Sequence, residues 1–147
     1  MVCSPVLTSA PVLATLAQRI ADGTGDIAGC VDATQVEDVF RQWESQQTVA
    51  WKIPLLRQVL SASFSGKNST PWAPGSLHDF MHAKVVVADD TVFTGSFNLS
   101  HSGEKNAENV VEIADAELAA KLSEFVDAVR GRYPRFTPTR SSTAAST

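Results

Sequence analysis

The first apolar pattern of helical spacing follows a short apolar stretch at the start of the chain. Thr8 or Ser9 can cap the predicted helix, and Pro11 suits its first turn. Gly23 and Gly25 follow the last apolar position, so we expect the helix to end there. Its inward-facing residues are predicted to be Val12, Leu13, Leu16 and Ile20.

Three further stretches repeat the helical pattern. Thr34 is placed to open the second helix, with Glu37 at the capping-box position. A third, weaker helix is predicted from Pro54 to Ser61, and a last one starts at Asp115. The buried stripes are expected to be Val36, Val39, Phe40 and Trp43 in the second helix, Leu55, Leu56, Val59 and Leu60 in the third, and Leu118, Leu122, Phe125, Val126 and Val129 in the last.

Short apolar runs between these helices indicate strands. They are Ile27–Val31, Phe80–Ala88 with its β-branched run, and Asn109–Ile113. Residues Ser65–Ser76 are rich in glycine, proline and small polar side chains, which is typical of a loop. Because strands and helices roughly alternate, the predicted fold class is α/β, with a mixed β-sheet flanked by helices in an α-β-α sandwich.

Length and composition indicate one domain of 147 residues, with 44% apolar and 19% charged residues. No apolar run approaches the roughly 18 residues that a membrane span needs. We expect the domain to occupy residues 1–136, starting partway along its first strand, and residues 137–147 to form a disordered tail. The N-terminal segment lacks the basic stretch of a signal peptide, so a cytoplasmic location with Cys3 and Cys30 reduced is predicted.

The chemistry is concentrated in the strand from Phe80 to Ala88 and in the segment that follows it. Side chains alternate along a strand, so His82 and Lys84 are predicted to project from the same face. A hairpin turn would then bring Ser96 and Asn98 back toward them. This set suits a tetrahedral anion, because an ammonium and neutral donors can hold phosphate oxygens while an imidazole can attack phosphorus.

The order of these residues resembles the HKD signature of the phospholipase D superfamily. One departure is that five residues separate Asp89 from Gly95, where the usual pattern has six. Either Asp89 or Asp90 therefore fills the motif position. The elements that carry the resemblance are His82, Lys84, Asp89, the run Gly95, Ser96 and Asn98, and then Asn106, Glu108 and Asn109.

This resemblance implies one half of a two-lobed fold in which each half brings one motif and the active site lies between them. The implied reaction is metal-independent cleavage or transfer at a phosphodiester, without a cofactor, through a phosphohistidine on His82. Lys84 and Asn98 would offset charge in the transition state, and Ser96 would donate to phosphate. Glu108 would accept the second imidazole N–H. The family's catalytic set also includes Asp89, which we interpret as an anchor of the turn.

One motif makes half of such a site. The resemblance therefore implies either a symmetric homodimer, in which His82 faces its own copy across a two-fold axis, or the second half of a longer enzyme with two motifs. A non-catalytic module that recognises phosphate or dimerises is the competing class, and the intact acid–base groups disfavour it. Phospholipid is the favoured substrate, and nucleic acid is the alternative.

The remaining candidates are weaker. A zinc site at His78 and His82 is disfavoured, because on a strand they would lie about 13 Å apart. His101 has no partner that the sequence identifies and is peripheral. Net charge of −4 and a pI near 5.3 weigh modestly against a protein that coats nucleic acid. A local positive pocket from Lys67, Lys84 and Lys105 stays possible, and the site entrance could be lined by Lys67, Asn68, Ser69 and Trp72, which could equally form a solvated connector.

Overall fold

A computed structural model of the chain describes residues 1–70, 73–100 and 103–138. In these residues six strands form one mixed sheet, in the spatial order β3-β2-β1-β4-β5-β6. The predicted α/β class, a mixed sheet flanked by helices, is therefore confirmed. The strands are β1 Val2–Cys3, β2 Gly29–Asp32, β3 Phe64–Lys67, β4 Val85–Ala88, β5 Thr91–Gly95 and β6 Val110–Ala114.

The two halves of the sheet are connected differently. Strands β1, β2 and β3 are parallel and are joined through helices, as parallel strands require. Strands β4, β5 and β6 are antiparallel, and β4 also pairs with β1 in the antiparallel sense. The helices are α1 Ala10–Ala21, α2 Ala33–Glu44, α3 Gln47–Ala50, α4 Lys52–Ser63 and α5 Ala116–Arg130, and a single 3₁₀ turn spans Gly103–Lys105.

Side chains alternate along the strands and therefore pack into the hydrophobic cores on the two opposite faces of the sheet. Val2 and Val31 point into the larger core, which is covered by α1, α2 and α4. Cys3 and Cys30 point to the other face and pack with Val126 of α5. Both cysteines are free and buried, and burial raises the pKa of Cys3 to about 12. Each layer thus covers the apolar positions of one sheet face.

The ends of α1 agree with the pattern, but the start of α2 does not. Ser9 is the N-cap residue of α1, and Gly23 and Gly25 beyond its end have positive φ angles. The prediction that Thr34 and Glu37 form a capping box was wrong. The N-cap lies two residues earlier, at Asp32, whose carboxylate accepts the backbone N–H of Gln35 at 3.0 Å.

Part of the predicted loop Ser65–Ser76 is a buried strand. Strand β3 pairs in parallel register with β2 on one side. On its other side the backbone N–H of Gly66 donates to the carbonyl oxygen of Pro134 at 3.0 Å, so a segment from the end of the chain covers the edge. The small polar residues of β3 look loop-like in sequence. They form a strand because two neighbouring backbones satisfy their hydrogen bonds.

Other details of the predicted strands and helices were also wrong. The strand predicted from Phe80 is confined to Val85–Ala88. Helix α4 extends beyond Pro54–Ser61 at both ends, and the short α3 before it was not predicted. Phe125 is 47% exposed, because α5 turns its smaller residues Ala119 and Val126 to the sheet.

Some predicted features lie outside the described residues. These are Trp72, His101 and the tail beyond residue 138. Within the part of the chain that the structure describes, no helix combines the length and apolar character needed to cross a membrane.

Candidate active site

The β4–β5 hairpin fixes the spacing of the motif. Ala88 pairs with Thr91, so Asp89 and Asp90 form a two-residue turn, with Asp89 at φ +51°. Four strand residues, about 13 Å at strand spacing, separate this turn from Lys84. Asp89 therefore lies in the turn at the far end of β4 from Lys84, and its place among the catalytic residues stays a prediction.

Ser96 is clamped against the segment that precedes β6. Its backbone N–H donates to the side-chain oxygen of Asn109 at 2.9 Å, and its hydroxyl accepts the Asn109 backbone N–H at 3.0 Å. The Ser96 hydroxyl donates to the Glu108 carboxylate at 2.5 Å. Gly95 makes this approach possible, since a Cβ there would lie 2.3 Å from the Asn109 carbonyl oxygen.

Lys84 joins this cluster from the end of β4. Its ammonium donates to the backbone carbonyl of His82 at 2.8 Å, and its own carbonyl accepts the Thr94 hydroxyl at 2.9 Å. Burial lowers the pKa of Lys84, and the negative charge of Glu108 partly opposes this shift. The Lys84 ammonium therefore feels the charge of the carboxylate that accepts the Ser96 hydroxyl.

His82 is exposed at the edge of this cluster. Its ring meets the ring of Phe80 edge-on, with 5.0 Å between centroids, and His78 contacts the same phenyl ring at 4.8 Å. No hydrogen bond joins the His82 imidazole to Glu108 in residues 73–100 and 103–138. In these residues the Glu108 carboxylate accepts the Ser96 hydroxyl instead. The described residues contain no group of three His, Cys, Asp or Glu side chains placed to hold a metal ion.

Asn98 lies in the turn that follows Ser96. Its side-chain oxygen is buried and has no hydrogen-bond partner among the described residues. The turn itself is tethered to the start of α1, because the carbonyl oxygen of Leu99 accepts the backbone N–H groups of Thr8 (2.8 Å) and Ser9 (3.1 Å). The backbone therefore holds Asn98 in place, while its side-chain oxygen accepts no hydrogen bond from the described residues.

The loop before His82 is held by Lys67, which the sequence suggested for the site entrance, and by Asp32, which the sequence patterns did not assign to the site. Lys67 is buried and pairs with Asp79 at 2.9 Å, so it does not line the entrance. The Asp32 carboxylate accepts the backbone N–H of Met81 at 3.0 Å. The sequence position of Asp32, at the end of a buried strand and just before a helix, identifies it as an N-cap. Its contact with Met81 could not be predicted in this way, because the two residues are 49 positions apart.

An apolar cleft of about 270 Å³ adjoins the polar cluster. It lies between α1 and the face of β4 and β5, and Lys84 is part of its wall. Its apolar lining includes Val12, Leu16, Val86, Phe93 and Leu99.

The arrangement can bind an anion and attack it. Lys84 and Ser96 offer a charged donor and a hydroxyl to phosphate oxygens. The exposed imidazole of His82, on the loop leading to Lys84, is able to act as a nucleophile or to exchange protons near neutral pH.

Comparison with known proteins agrees with this geometry. The sequence model of the family described as "Cardiolipin synthase, PLD-like domain" matches residues 1–129. The chain belongs to this family, within the phospholipase D superfamily. A comparison with curated protein sequences gave no match.

Two solved structures share the fold. One is Nuc from Salmonella typhimurium, described as a phospholipase D family member, with 22% identity and a TM-score of 0.60, covering 94% of this chain and 80% of that one. The other is NucT from Helicobacter pylori, with 17% identity and a TM-score of 0.58, covering 92% of this chain and 80% of that one.

Proposed function

We propose that this protein is a metal-independent phosphodiesterase of the phospholipase D type that cleaves a phospholipid through a phosphohistidine on His82. The observation that carries the proposal is the position of Lys84. Its ammonium belongs to the polar cluster with Glu108, and its side chain also lines the apolar cleft. A ligand that is anionic at one end and hydrocarbon at the other fits both surfaces.

The cleft is the reason for favouring a lipid. A phosphodiester bound by Lys84 and Ser96 places one ester substituent toward Val86 and Phe93, which offer no hydrogen-bonding side chain to a nucleotide. The matching family description names an enzyme of a phospholipid, cardiolipin. Membership in that family supports the same substrate class.

The proposed reaction has two displacements. The His82 imidazole attacks phosphorus, a P–N bond forms, and the P–O bond to the leaving alcohol breaks. The partner subunit's His82 gives its proton to that alcohol. It then takes a proton from water as the water oxygen attacks phosphorus and the P–N bond breaks. Lys84 and Asn98 offset the charge that develops on the phosphoryl oxygens.

The second histidine comes from a symmetric homodimer in this proposal. His82 is exposed and carries no hydrogen bond from its ring in the described part of the chain, which leaves it free to face another copy. Glu108 holds Ser96 and balances Lys84 in place of the expected pairing with His82.

The proposal is tested by offering purified protein three diesters: phosphatidylglycerol vesicles, phosphatidylcholine vesicles and single-stranded DNA. We expect turnover of a lipid, unchanged by EDTA, and an acid-labile, base-stable phosphoryl label on the protein. Cleavage of DNA with no lipid turnover would assign the alternative substrate. Turnover by a species of monomer mass would contradict the shared site.

Narrowing the apolar cleft should slow the cleavage of long-chain lipids and leave the cleavage of water-soluble diesters unchanged. In Val12→Phe the added ring enters the cleft from α1, so turnover of a long-chain lipid should fall about tenfold, while a water-soluble diester should be cleaved at the wild-type rate. Ala14→Phe is the control, because Ala14 is an exposed residue of the same helix outside the cleft. Equal losses for both diesters would show that the cleft does not bind the lipid chain.

A further inference from the structure

The carboxylate of Asp32 is fully buried at the end of β2 and holds three separate segments together. One oxygen accepts the backbone N–H of Gln35 and caps α2. The other accepts the backbone N–H of Met81 at 3.0 Å and the hydroxyl of Ser69 at 2.5 Å. A buried carboxylate is tolerated when such donors replace water, and here three of them do so.

Capping a helix does not require this arrangement. Asp115 caps α5 by accepting the backbone N–H of Leu118 at 3.0 Å, and it does so from an exposed position. Burying Asp32 adds a desolvation cost that a cap alone does not explain. What the burial adds is the second oxygen, with its bonds to Ser69 and Met81.

Those bonds act on the residue that precedes His82. The Met81 side chain is also fixed, because it is buried beside Cys3 with 3.6 Å between the sulfur atoms. The carbonyl of His82 is held by Lys84 on the other side. Since the imidazole has no hydrogen bond of its own in the described part of the chain, its position depends on the backbone between these two anchors and on its contact with the ring of Phe80.

Two hydrogen bonds hold Ser69 in place. Its backbone N–H donates to the hydroxyl of Thr34 at 3.0 Å, and its own hydroxyl donates to Asp32. The adjacent Thr70 donates its backbone N–H to the carbonyl oxygen of Asp79 at 2.7 Å. The segment 79–81 precedes His82. Its two ends, Asp79 and Met81, are thereby connected through this loop to the first turn of α2.

We infer that Asp32, together with Ser69, is the positioning element that sets the His82 imidazole for attack on phosphorus. We call the group formed by Asp32, the Ser69 hydroxyl and the Met81 N–H the Asp32 latch. The inference rests on the proposed function, and it adds to that function a residue that lies far from His82 in the sequence.

The first test is Asp32→Asn. The N–H groups of Gln35 and Met81 donate to different oxygens of Asp32, and in asparagine one of these positions becomes an NH2 group, which cannot accept. We expect kcat on a diester to fall about 10- to 100-fold with KM unchanged, because a displacement of about 1 Å of a reacting group has an effect of that size. Single-turnover formation of the phosphohistidine should slow by the same factor. Asp115→Asn is the matched control, and its kcat should equal that of the wild type.

A measurement other than activity distinguishes an effect on the position of the His82 ring from an effect on the stability of the fold. In ¹H–¹⁵N spectra the wild-type His82 ring should give one set of signals, and Asp32→Asn should shift or broaden them while Asp115→Asn leaves them unchanged. If the folded Asp32→Asn protein keeps the wild-type kcat and His82 signals, Asp32 is only a cap and the inference is wrong.

Ser69→Ala decides the matter if Asp32→Asn does not fold. It keeps the α2 cap and removes one donor of the latch, so kcat should fall several-fold with shifted His82 signals and a nearly unchanged melting temperature. Unchanged His82 signals would overturn the inference. If the wild type cleaves no diester, the proposed function fails, yet the His82 signals of the variants still test the latch.

Discussion

Replacing His82 by alanine should abolish phosphodiester turnover, with a loss on the order of 10⁴-fold or more, because the group that forms the covalent intermediate is removed. The acid-labile phosphoryl label should disappear with it. Thermal stability should not change measurably, since the imidazole is exposed and its removal leaves no buried group unpaired. The measurement is a steady-state rate on a chromogenic diester beside a labelling gel and a melting curve.

His78→Ala is the control for this variant. Both imidazoles contact the ring of Phe80, with 4.8 Å between ring centroids for His78 and 5.0 Å for His82, so both substitutions remove an aromatic contact at similar distance. His78→Ala should keep near wild-type activity and the label. Full activity in the His82→Ala protein would exclude the covalent mechanism.

The parts of the site that could be predicted from the sequence are those that local geometry fixes. Two turn residues between β-branched runs specify the β4–β5 hairpin, and its register carries Thr94 opposite Val85. That pairing brings the run beginning at Gly95 back beside Lys84. Motif spacing and strand geometry therefore agree over this stretch, even though the strand itself proved shorter than its apolar pattern.

Contacts between distant segments could not be read in the same way. Glu108 was expected on His82, but β6 pairs with β5 so that Gly95 lies opposite Val110, and this places the carboxylate on Ser96. The Asp32 latch also depends on tertiary packing, because nothing in the residues around position 32 indicates a bond to position 81. Patterns of propensity report the neighbours along a helix or strand and do not report these partners.

Strand β3 and the apolar cleft illustrate the same limit. The residues of β3 have loop composition, and only the backbones of β2 and of Pro134–Phe136 make them a strand. The walls of the cleft come from α1 and four strands, and the sequence of each element alone is typical of an ordinary core segment. The substrate preference that the cleft suggests therefore required the fold as well as the motif.

Substituting Gly95 by alanine should damage the fold and the site together. Gly95 has a φ of +151°, a conformation that side chains disfavour. A Cβ at this position would also lie 2.3 Å from the carbonyl oxygen and 2.6 Å from the side-chain oxygen of Asn109. Because the closest contact is backbone in the paired segment, relief requires β5 and the segment before β6 to separate.

That separation would pull apart the Ser96–Asn109 clamp. We expect Gly95→Ala to lower the free energy of unfolding by about 2–4 kcal/mol. The turnover of the remaining folded protein should fall at least about tenfold, since Ser96 moves relative to Lys84. Chemical denaturation and the rate per folded molecule measure the two effects separately.

Gly23→Ala separates crowding from backbone strain. Gly23 also has a positive φ, of +64°, but a Cβ there meets nothing within 4 Å. It should lose only about 1 kcal/mol of stability, from strain alone, and none of its activity. If Gly95→Ala were no more harmful than this control, the pairing of β5 with β6 would be loose enough to admit a side chain. The requirement for glycine in the motif would then need a cause other than the approach of Asn109.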